Sequence, residues 1–442
     1  MKKYKLLKEL GLDQPPTDTD EMGVREEFDM VREKYPQIPR TILLKEDVLR
    51  RGVTFTSSAL KAIQYLSISY HVYILFQWHK IDETSGLKIP ESIIFRDGTY
   101  TSVLLSPPEM DPYTIDIKDG EFWLFSEGEP LEEVFFDPAP RYFGKRTSKG
   151  RLMEEVLGHG RRLLYLIPVQ HCYYWNEDLQ CKYCDMNYIA KHQLKIGRSV
   201  KLRKDPEDVY EAVYEALQEK GRHQEMFFTG GTNPRNDFQN EIDFNIELVK
   251  EVLRAVKDAT GDPNHHLPVF WVGPPLKKDQ YITVKEAGFT GYGCYFEIWG
   301  KEKFELVCPG KAKYCGGFDG FLERSLDALE VFGRGNVCAG FVPGIEMAPP
   351  PYGFSELNEG VESALQGYKF LFQKGFVPTG TNWSISPGSY YYKIGAAPPP
   401  LEFFAKYGLG RQLLLVEYGK DICSDMLSNQ CYATYPEYQR LF

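Results

Sequence analysis

The pattern of apolar and polar positions divides the chain into two regions of different texture. From about position 162 onward, short apolar runs alternate with segments whose apolar residues recur every three or four positions. That alternation predicts a parallel sheet wrapped by helices. Six strands are predicted, over 162–169, 225–229, 267–272, 289–298, 336–342 and 376–384. Crossover helices are predicted over 206–220 and 243–259. Asp205 and Pro206 supply an N-cap and a first-turn proline, and Gly221 and Gly261 follow helix ends as C-cap glycines do.

Before position 150 the pattern is different. Apolar runs over 93–105 and 114–125 are interrupted by Asp97-Gly98 and Asp119-Gly120, strong hairpin signals. The expected architecture is α/β: a partial (β/α)6 TIM-like barrel of parallel strands over 151–400, preceded by an α+β accessory module over 1–150. After Pro398-Pro399-Pro400, a tail over 401–442 with one further helix-period segment is expected to pack on the barrel. The stretch 59–78 is strongly apolar but contains Lys61, Gln64 and His71, so a buried helix running into a strand is expected there, not a membrane span.

Composition narrows the function classes. Hydrophobic residues are 43% and charged residues 26% of the chain, as in ordinary globular proteins. A formal net charge of −10 argues against general binding to nucleic acid or to an anionic membrane surface. The N-terminal stretch has lysines but no sustained apolar core, so no secretory signal is read and a cytoplasmic location is expected. Nine cysteines in such a chain point to metal or redox chemistry for some of them.

The informative cysteines are Cys172, Cys181 and Cys184, spaced Cys-x8-Cys-x2-Cys directly after the first barrel strand. Three thiolates on one loop can hold three irons of a cubane [4Fe–4S] cluster and leave the fourth iron open to a ligand. Two other chemistries remain open on spacing alone. One is a closed zinc site with His171 or His192 as the fourth ligand. The other is an electron-transfer iron–sulfur site. Cys308 with Cys315, or Cys423 with Cys431, could supply a second cluster, while Cys294 and Cys338 sit in core strands as small apolar residues.

At this point the sequence resembles the radical S-adenosylmethionine superfamily over about 160–400, and in particular its biotin synthase-like branch. The usual motif there is Cys-x3-Cys-x2-Cys, and the wider first gap here is shared by a minority of its families. An aromatic, Tyr183, precedes the third cysteine, and the resemblance implies that it packs near the adenine of S-adenosylmethionine. Thr229-Gly230-Gly231-Thr232 at the second strand end resembles the superfamily's Gly-Gly-Glu element for the methionine amino group, with Thr232 in the place of the carboxylate. Glu297, at the fourth strand end, fits the place of a ribose-binding polar residue. Gly340, Val342 and Gly344 resemble the element beside the adenine, with Glu346 one residue early in it. The run 308–315 and the stretch to 336 also look like those barrels.

The resemblance implies an oxygen-sensitive enzyme with two cofactors, a [4Fe–4S] cluster and S-adenosylmethionine. Reductive cleavage would give a 5′-deoxyadenosyl radical that abstracts hydrogen from a small-molecule, biosynthetic or cofactor-related substrate. It also implies a one-electron donor such as flavodoxin or ferredoxin. Asn382, Trp383 and Tyr390 to Tyr392 follow the sixth strand, on the side where such folds place substrates. A substrate contact and an aromatic lid packed on the tail are both open for them.

Overall fold

A computed structural model describes residues 4–19, 21–71, 87–195, 202–261, 267–419 and 422. The N-terminal region begins with helices α1 (Lys5–Glu9), α2 (Val24–Lys34), α3 (Arg40–Arg51) and α4 (Ser57–Ile63). Its strands are β1 (Val53–Phe55), β2 (Ser92–Phe95), β3 (Tyr100–Ser102), β4 (Tyr113–Lys118), β5 (Glu121–Ser126) and β6 (Glu129–Phe135). They form one mixed sheet in the order β1-β4-β5-β6-β2-β3. Both anticipated hairpins occur, β2 with β3 and β4 with β5. Their turns carry left-handed residues at Gly98 and at Asp119-Gly120, which is what the Asp-Gly pairs supply. A third hairpin, β5 with β6, turns through Glu127-Gly128. In the apolar stretch, α4 is followed by isolated bridges at Ile68 and Tyr70, where a strand was anticipated. The rest of that stretch, from 72, lies outside the described residues.

The second sheet runs in the order β13-β12-β11-β10-β9-β8-β7. Its strands are β7 (Gly158–Gly160), β8 (Leu163–Leu166), β9 (Glu225–Phe228), β10 (Val269–Gly273), β11 (Gly291–Cys294), β12 (Val337–Phe341) and β13 (Val377–Gly380). The six from β8 to β13 are parallel, and β7 adds an antiparallel edge. This is the curled half-barrel that the alternating pattern predicts. Helices connect the strands: α5 (Met186–Lys195), α6 (Pro206–Leu217), α7 (Gln239–Thr260), α8 (Lys278–Glu286), α9 (Lys301–Val307), α10 (Pro309–Cys315), α11 (Gly317–Phe332) and α12 (Leu357–Lys374). Asp205 caps α6 by accepting from the Glu207 and Asp208 amides, and Gly261 ends α7 in the left-handed region.

The register separates two faces of this sheet. Trp271 and Tyr292 are paired neighbours, and Tyr292 packs on Tyr281 of α8 and Phe332 of α11, so the pair faces the helices. Phe270 lies on the opposite face, opposite Gly291, whose added Cβ would stand 2.3 Å from that ring. The glycine leaves the space that the ring fills. Two predicted strands overshoot. β11 ends at Cys294 because the chain leaves the ladder, with Glu297 at φ 70. β13 ends at Gly380. The apolar run continues past each end because Phe296, Ile298 and Trp383 are loop residues buried in the core.

The sheet ends at β7 and at β13, and the N-terminal region reaches the chain near each end. Tyr165 of β8 donates its hydroxyl to Glu91 at 2.8 Å. At the other edge the Asn382 amide, just past β13, donates to Glu46 of α3. The tail forms helix α13 (Leu401–Tyr418), buried on nearly every side from Leu401 to Gln412. It packs on α12, where Gly410 has Leu365 of α12 within 2.4 Å of an added Cβ. Glu402 of α13 pairs with Lys34 of α2 at 2.7 Å and accepts from Tyr35 at 2.8 Å. Glu362 of α12 accepts from the Leu6 and Leu7 amides of α1, at 2.9 and 2.8 Å. The N-terminal helices are thus fastened to the C-terminal half of the chain. No helix among the described residues is long and apolar enough to cross a membrane.

Candidate metal centre

The cysteine loop leaves β8 and returns into α5, and backbone hydrogen bonds pin it from three sides. On the first side, the Tyr173 amide donates to the Thr232 carbonyl at 2.9 Å and the Gly231 amide to the Val169 carbonyl at 2.9 Å. A Cβ on Gly231 would stand 2.2 Å from the His171 carbonyl oxygen and 2.6 Å from the Cys172 nitrogen. The Gly230-Gly231 pair therefore lets the β9 loop lie directly on the cysteine loop.

On the second side, the Lys182 amide donates to Val307 at 2.9 Å and the Gly310 amide to Leu179 at 3.0 Å. On the third, the Tyr391 amide donates to Lys182 at 3.1 Å. Within the loop's own return, Asn187 of α5 clamps Cys172 reciprocally. Its Oδ1 accepts from the Cys172 amide at 2.7 Å and its Nδ2 donates to the Cys172 carbonyl at 2.9 Å. The wide gap between the first two cysteines has a physical use. It forms a 3₁₀ turn, Tyr173–Glu177, whose Tyr174 is buried and stacks on Tyr314 of α10 with ring centres 5.7 Å apart. Gly310 makes room for that ring, since its added Cβ would lie 2.5 Å from it.

Each of the three thiols feels the charge of the other two. Burial pushes the Cys172 thiol up to about 11 and Cys184 well above its ordinary value, and repulsion between the thiols adds to both shifts. Cys181 is the exception. A hydrogen bond from Cys308 holds it below the ordinary thiol value, helped by the Lys311 ammonium. Mutually repelling, desolvated thiols are what positive metal corners would relieve. Among the described residues no set of three or more His, Cys, Asp and Glu forms a group that could hold a single metal ion. His171 packs against Tyr173 and His192 stacks on Tyr188, and neither completes such a set.

Of the remaining anticipated residues, Tyr183 and Glu297 are tied to this loop, and Gly340, Val342 and Gly344 have other neighbours. Tyr183 is hydrogen-bonded to Cys181. Glu297 is 5% exposed and forms an ion pair with Lys311, whose ammonium also donates to the Tyr295 carbonyl at 2.7 Å. Its backbone joins the fourth and fifth strand ends. The Glu297 amide donates to Gly340 at 3.0 Å and the Val342 amide to Glu297 at 2.8 Å. The space beside Gly340 is taken by the Tyr295 ring. Gly344, at φ 105, faces Phe404, Pro399 and Trp383, and its amide donates to Glu346 at 2.8 Å. Glu346 is fully buried, and burial pushes its carboxyl up to about 8.

Four residues that sequence reasoning did not assign belong to this neighbourhood, Asn187, Glu241, Lys311 and Asp185, and Cys308 joins them in a setting other than the one considered for it. Glu241 of α7 accepts from the Asn233 amide at 2.7 Å, beside the Gly-Gly-Thr loop, and burial pushes it up to about 8. Burial takes Asp185 up to about 7, against a hydrogen bond from Ser386. Cys308 and Lys311 stand three positions apart around a helix start, a spacing that puts both on one face and was readable in the sequence. Cys308 meets Cys181, while the groups that act on Cys315 are Arg324, Lys311, Cys294 and Asp237. Cys294 contacts Tyr281, and Cys338 is buried in its strand, as anticipated for core residues. Cys423 and Cys431 lie outside the described residues.

A polar cleft lined by His71, Glu91, Glu154, Tyr165, Ile167 and Gln170 lies where the N-terminal region meets β8. His71 Nε2 and Gln170 Oε1 are buried there without a hydrogen-bond partner among the described residues.

No protein-family model matches the chain, and no curated protein sequence does. Solved structures do. The chain is similar to methylornithine synthase (PylB) at 16% identity, over 64% of this chain and 79% of that one, with a TM-score of 0.39. It is similar to HydG, a maturase of the [FeFe]-hydrogenase, at 15% identity, over 60% of this chain and 52% of that one, with a TM-score of 0.39. It is also similar to a radical SAM methyltransferase from Sphaerobacter thermophilus at 10% identity, over 90% of this chain and 93% of that one, with a TM-score of 0.39.

Proposed function

We propose that the chain is a radical S-adenosylmethionine enzyme acting on a small-molecule substrate, with Cys172, Cys181 and Cys184 holding a [4Fe–4S] cluster. The observation that supports this reading is one loop, following the first parallel strand and carrying all three cysteines, that backbone hydrogen bonds and Asn187 pin in place. Bound there, the cluster and S-adenosylmethionine would supply one-electron cleavage of the sulfonium to a 5′-deoxyadenosyl radical, with the electron coming from a donor such as flavodoxin or ferredoxin.

The chain's own residues have definable tasks in this reading. Asn187, Gly231 and Thr232 fix the loop that carries the three thiols, which would limit its rearrangement on metal binding. Tyr183 and Cys308 donate to Cys181 and Lys311 places a positive charge beside it, all of which favour the thiolate. Thr232 lacks a carboxylate, but Glu241 presents one at the same loop. An ammonium group beside Glu241 would draw off its proton and pair with it. In this reading Tyr183, Gly230 and Glu297 would contact the nucleoside, and Gly340, Val342 and Gly344 would do so through their backbone, since the Tyr295 ring fills the space beside Gly340 and Phe404, Pro399 and Trp383 that beside Gly344. The cleft against the N-terminal region offers hydrogen-bond acceptors to a polar small molecule.

The test is anaerobic reconstitution with iron and sulfide, followed by reduction in the presence of S-adenosylmethionine. About four irons per chain and release of methionine and 5′-deoxyadenosine are expected. Replacing any one of the three cysteines by Ala should abolish both. Undiminished deoxyadenosine formation in such a variant, or retention of zinc in place of iron, would sink the reading.

A further inference from the structure

Cys308 lies far along the chain from the three candidate ligands, at the junction of α9 and α10, and is fully buried. Two backbone hydrogen bonds bring it to the cysteine loop: Lys182 to Val307 at 2.9 Å and Gly310 to Leu179 at 3.0 Å. These bonds bracket positions 181 and 308 on their two segments, so the segments lie side by side with the cysteines between the bonds. The two thiols are hydrogen-bonded to each other. The Lys311 ammonium, itself anchored by Glu297 and the Tyr295 carbonyl, stands beside both sulfurs. Cys181 is half-buried and Cys308 is not exposed at all. The Cys308 thiol is therefore positioned to react with what an oxidant makes of the Cys181 thiol.

We propose that Cys181 and Cys308 form a peroxide-sensitive thiol pair that closes to a disulfide in the cluster-free chain. The Cys181 thiolate attacks one oxygen of hydrogen peroxide, the O–O bond breaks, and with one proton the products are a sulfenic acid and water. The Cys308 sulfur then attacks the sulfenic sulfur. The S–S bond forms, the S–O bond breaks, and the hydroxide leaves as water with the Cys308 proton. In sum two thiols lose two electrons and the peroxide becomes two waters. A dithiol reductant reverses the step by exchange.

The linkage stands on the geometry alone. Its consequence rests on the cluster reading: a linked Cys181 is no longer available as a ligand, so the oxidised chain cannot load a cluster until it is reduced.

The experiment uses the full metal-free chain, reduced, freed of reductant and treated with hydrogen peroxide. Remaining thiols are blocked with N-ethylmaleimide in denaturant, and the linked peptides are mapped by mass spectrometry. A peptide pair joined through Cys181 and Cys308 is expected as the main product, absent from Cys308→Ser and removed by dithiothreitol. A main linkage between Cys181 and Cys184 or Cys172, or full alkylation of Cys308 after treatment, would overturn the proposal. The wild-type map decides this even if the variant does not fold. The linked and reduced chains are then offered a preformed [4Fe–4S] thiolate cluster by ligand exchange. At least fivefold less iron on the linked chain is expected. Equal iron on both would overturn the proposed block on loading and the assignment of Cys181 as ligand, while leaving the mapped disulfide in place.

Discussion

Gly231→Ala is the substitution that most directly tests how the centre is built. Neither Gly230 nor Gly231 is in the left-handed region, so what each position requires is space and not backbone freedom. At 231 an added Cβ would lie 2.2 Å from the His171 oxygen, 2.3 Å from the His171 carbonyl carbon and 2.6 Å from the Cys172 nitrogen. All three are backbone atoms and cannot rotate away, so the two loops must separate by roughly 1 Å, enough to break the 2.9 Å bonds from Gly231 to Val169 and from Tyr173 to Thr232. Two lost bonds at about 1 kcal/mol each and an overpacking cost of about 1–3 kcal/mol put the total near 4 kcal/mol. At 230 the added Cβ would meet the Val169 oxygen at 2.9 Å and an Ile167 methyl at 3.3 Å. A shift of a few tenths of an ångström relieves both, at about 1 kcal/mol. Urea unfolding of the metal-free chain should show the larger loss for Gly231→Ala, and iron bound per chain after reconstitution should fall in the same order. If Gly230→Ala proves as costly as Gly231→Ala, or Gly231→Ala binds iron normally, close loop contact is not what holds the thiols.

Three further outcomes follow from the same geometry. Lys311→Met leaves Glu297 buried without its cation and should cost about 3–5 kcal/mol in urea unfolding, with much of the loss recovered in the double variant carrying Glu297→Gln. Full cost in the double variant would show that the pair is not the cause. Burial raises Glu346 to about 8, so the folded chain holds a proton that the unfolded chain releases near pH 4.5. Stability should then fall as pH rises from about 5 to about 8, and Glu346→Gln should flatten that fall by roughly 3 kcal/mol. Parallel pH profiles for the two proteins would refute the assignment. Tyr165→Phe removes the donor to Glu91 that ties β8 to the N-terminal region and should cost about 2 kcal/mol, while a loss below about 0.5 kcal/mol would mean that this edge is held by other contacts.

How far the chain is legible from sequence depends on whether the physics at a position is local. The six parallel strands and the hairpin turns are local: their apolar runs and Asp-Gly pairs carry the information within a few residues, and the half-barrel and the N-terminal sheet follow. Strand ends were less legible because Phe296, Ile298 and Trp383 are apolar for the sake of the core, not of the ladder, and periodicity cannot tell the two apart. The cysteine triplet was legible by spacing, but its setting was not. Cys308 and Lys311 reach Cys181 only because α9 and α10 dock on the loop's 3₁₀ turn, across more than a hundred residues of chain. The same holds for the closure of the half-barrel. Glu46 and Glu91 read as ordinary charges of a separate module, yet one accepts from Asn382 beyond the last strand and the other from Tyr165 on the first. The sheet ends at β7 and at β13, and a carboxylate of the N-terminal region reaches β8, next to one end, and another the segment just past β13 at the other. The N-terminal region is on this account a wall of the barrel, and residues that shape the substrate's surroundings are to be sought in it as well as in the strand-end loops.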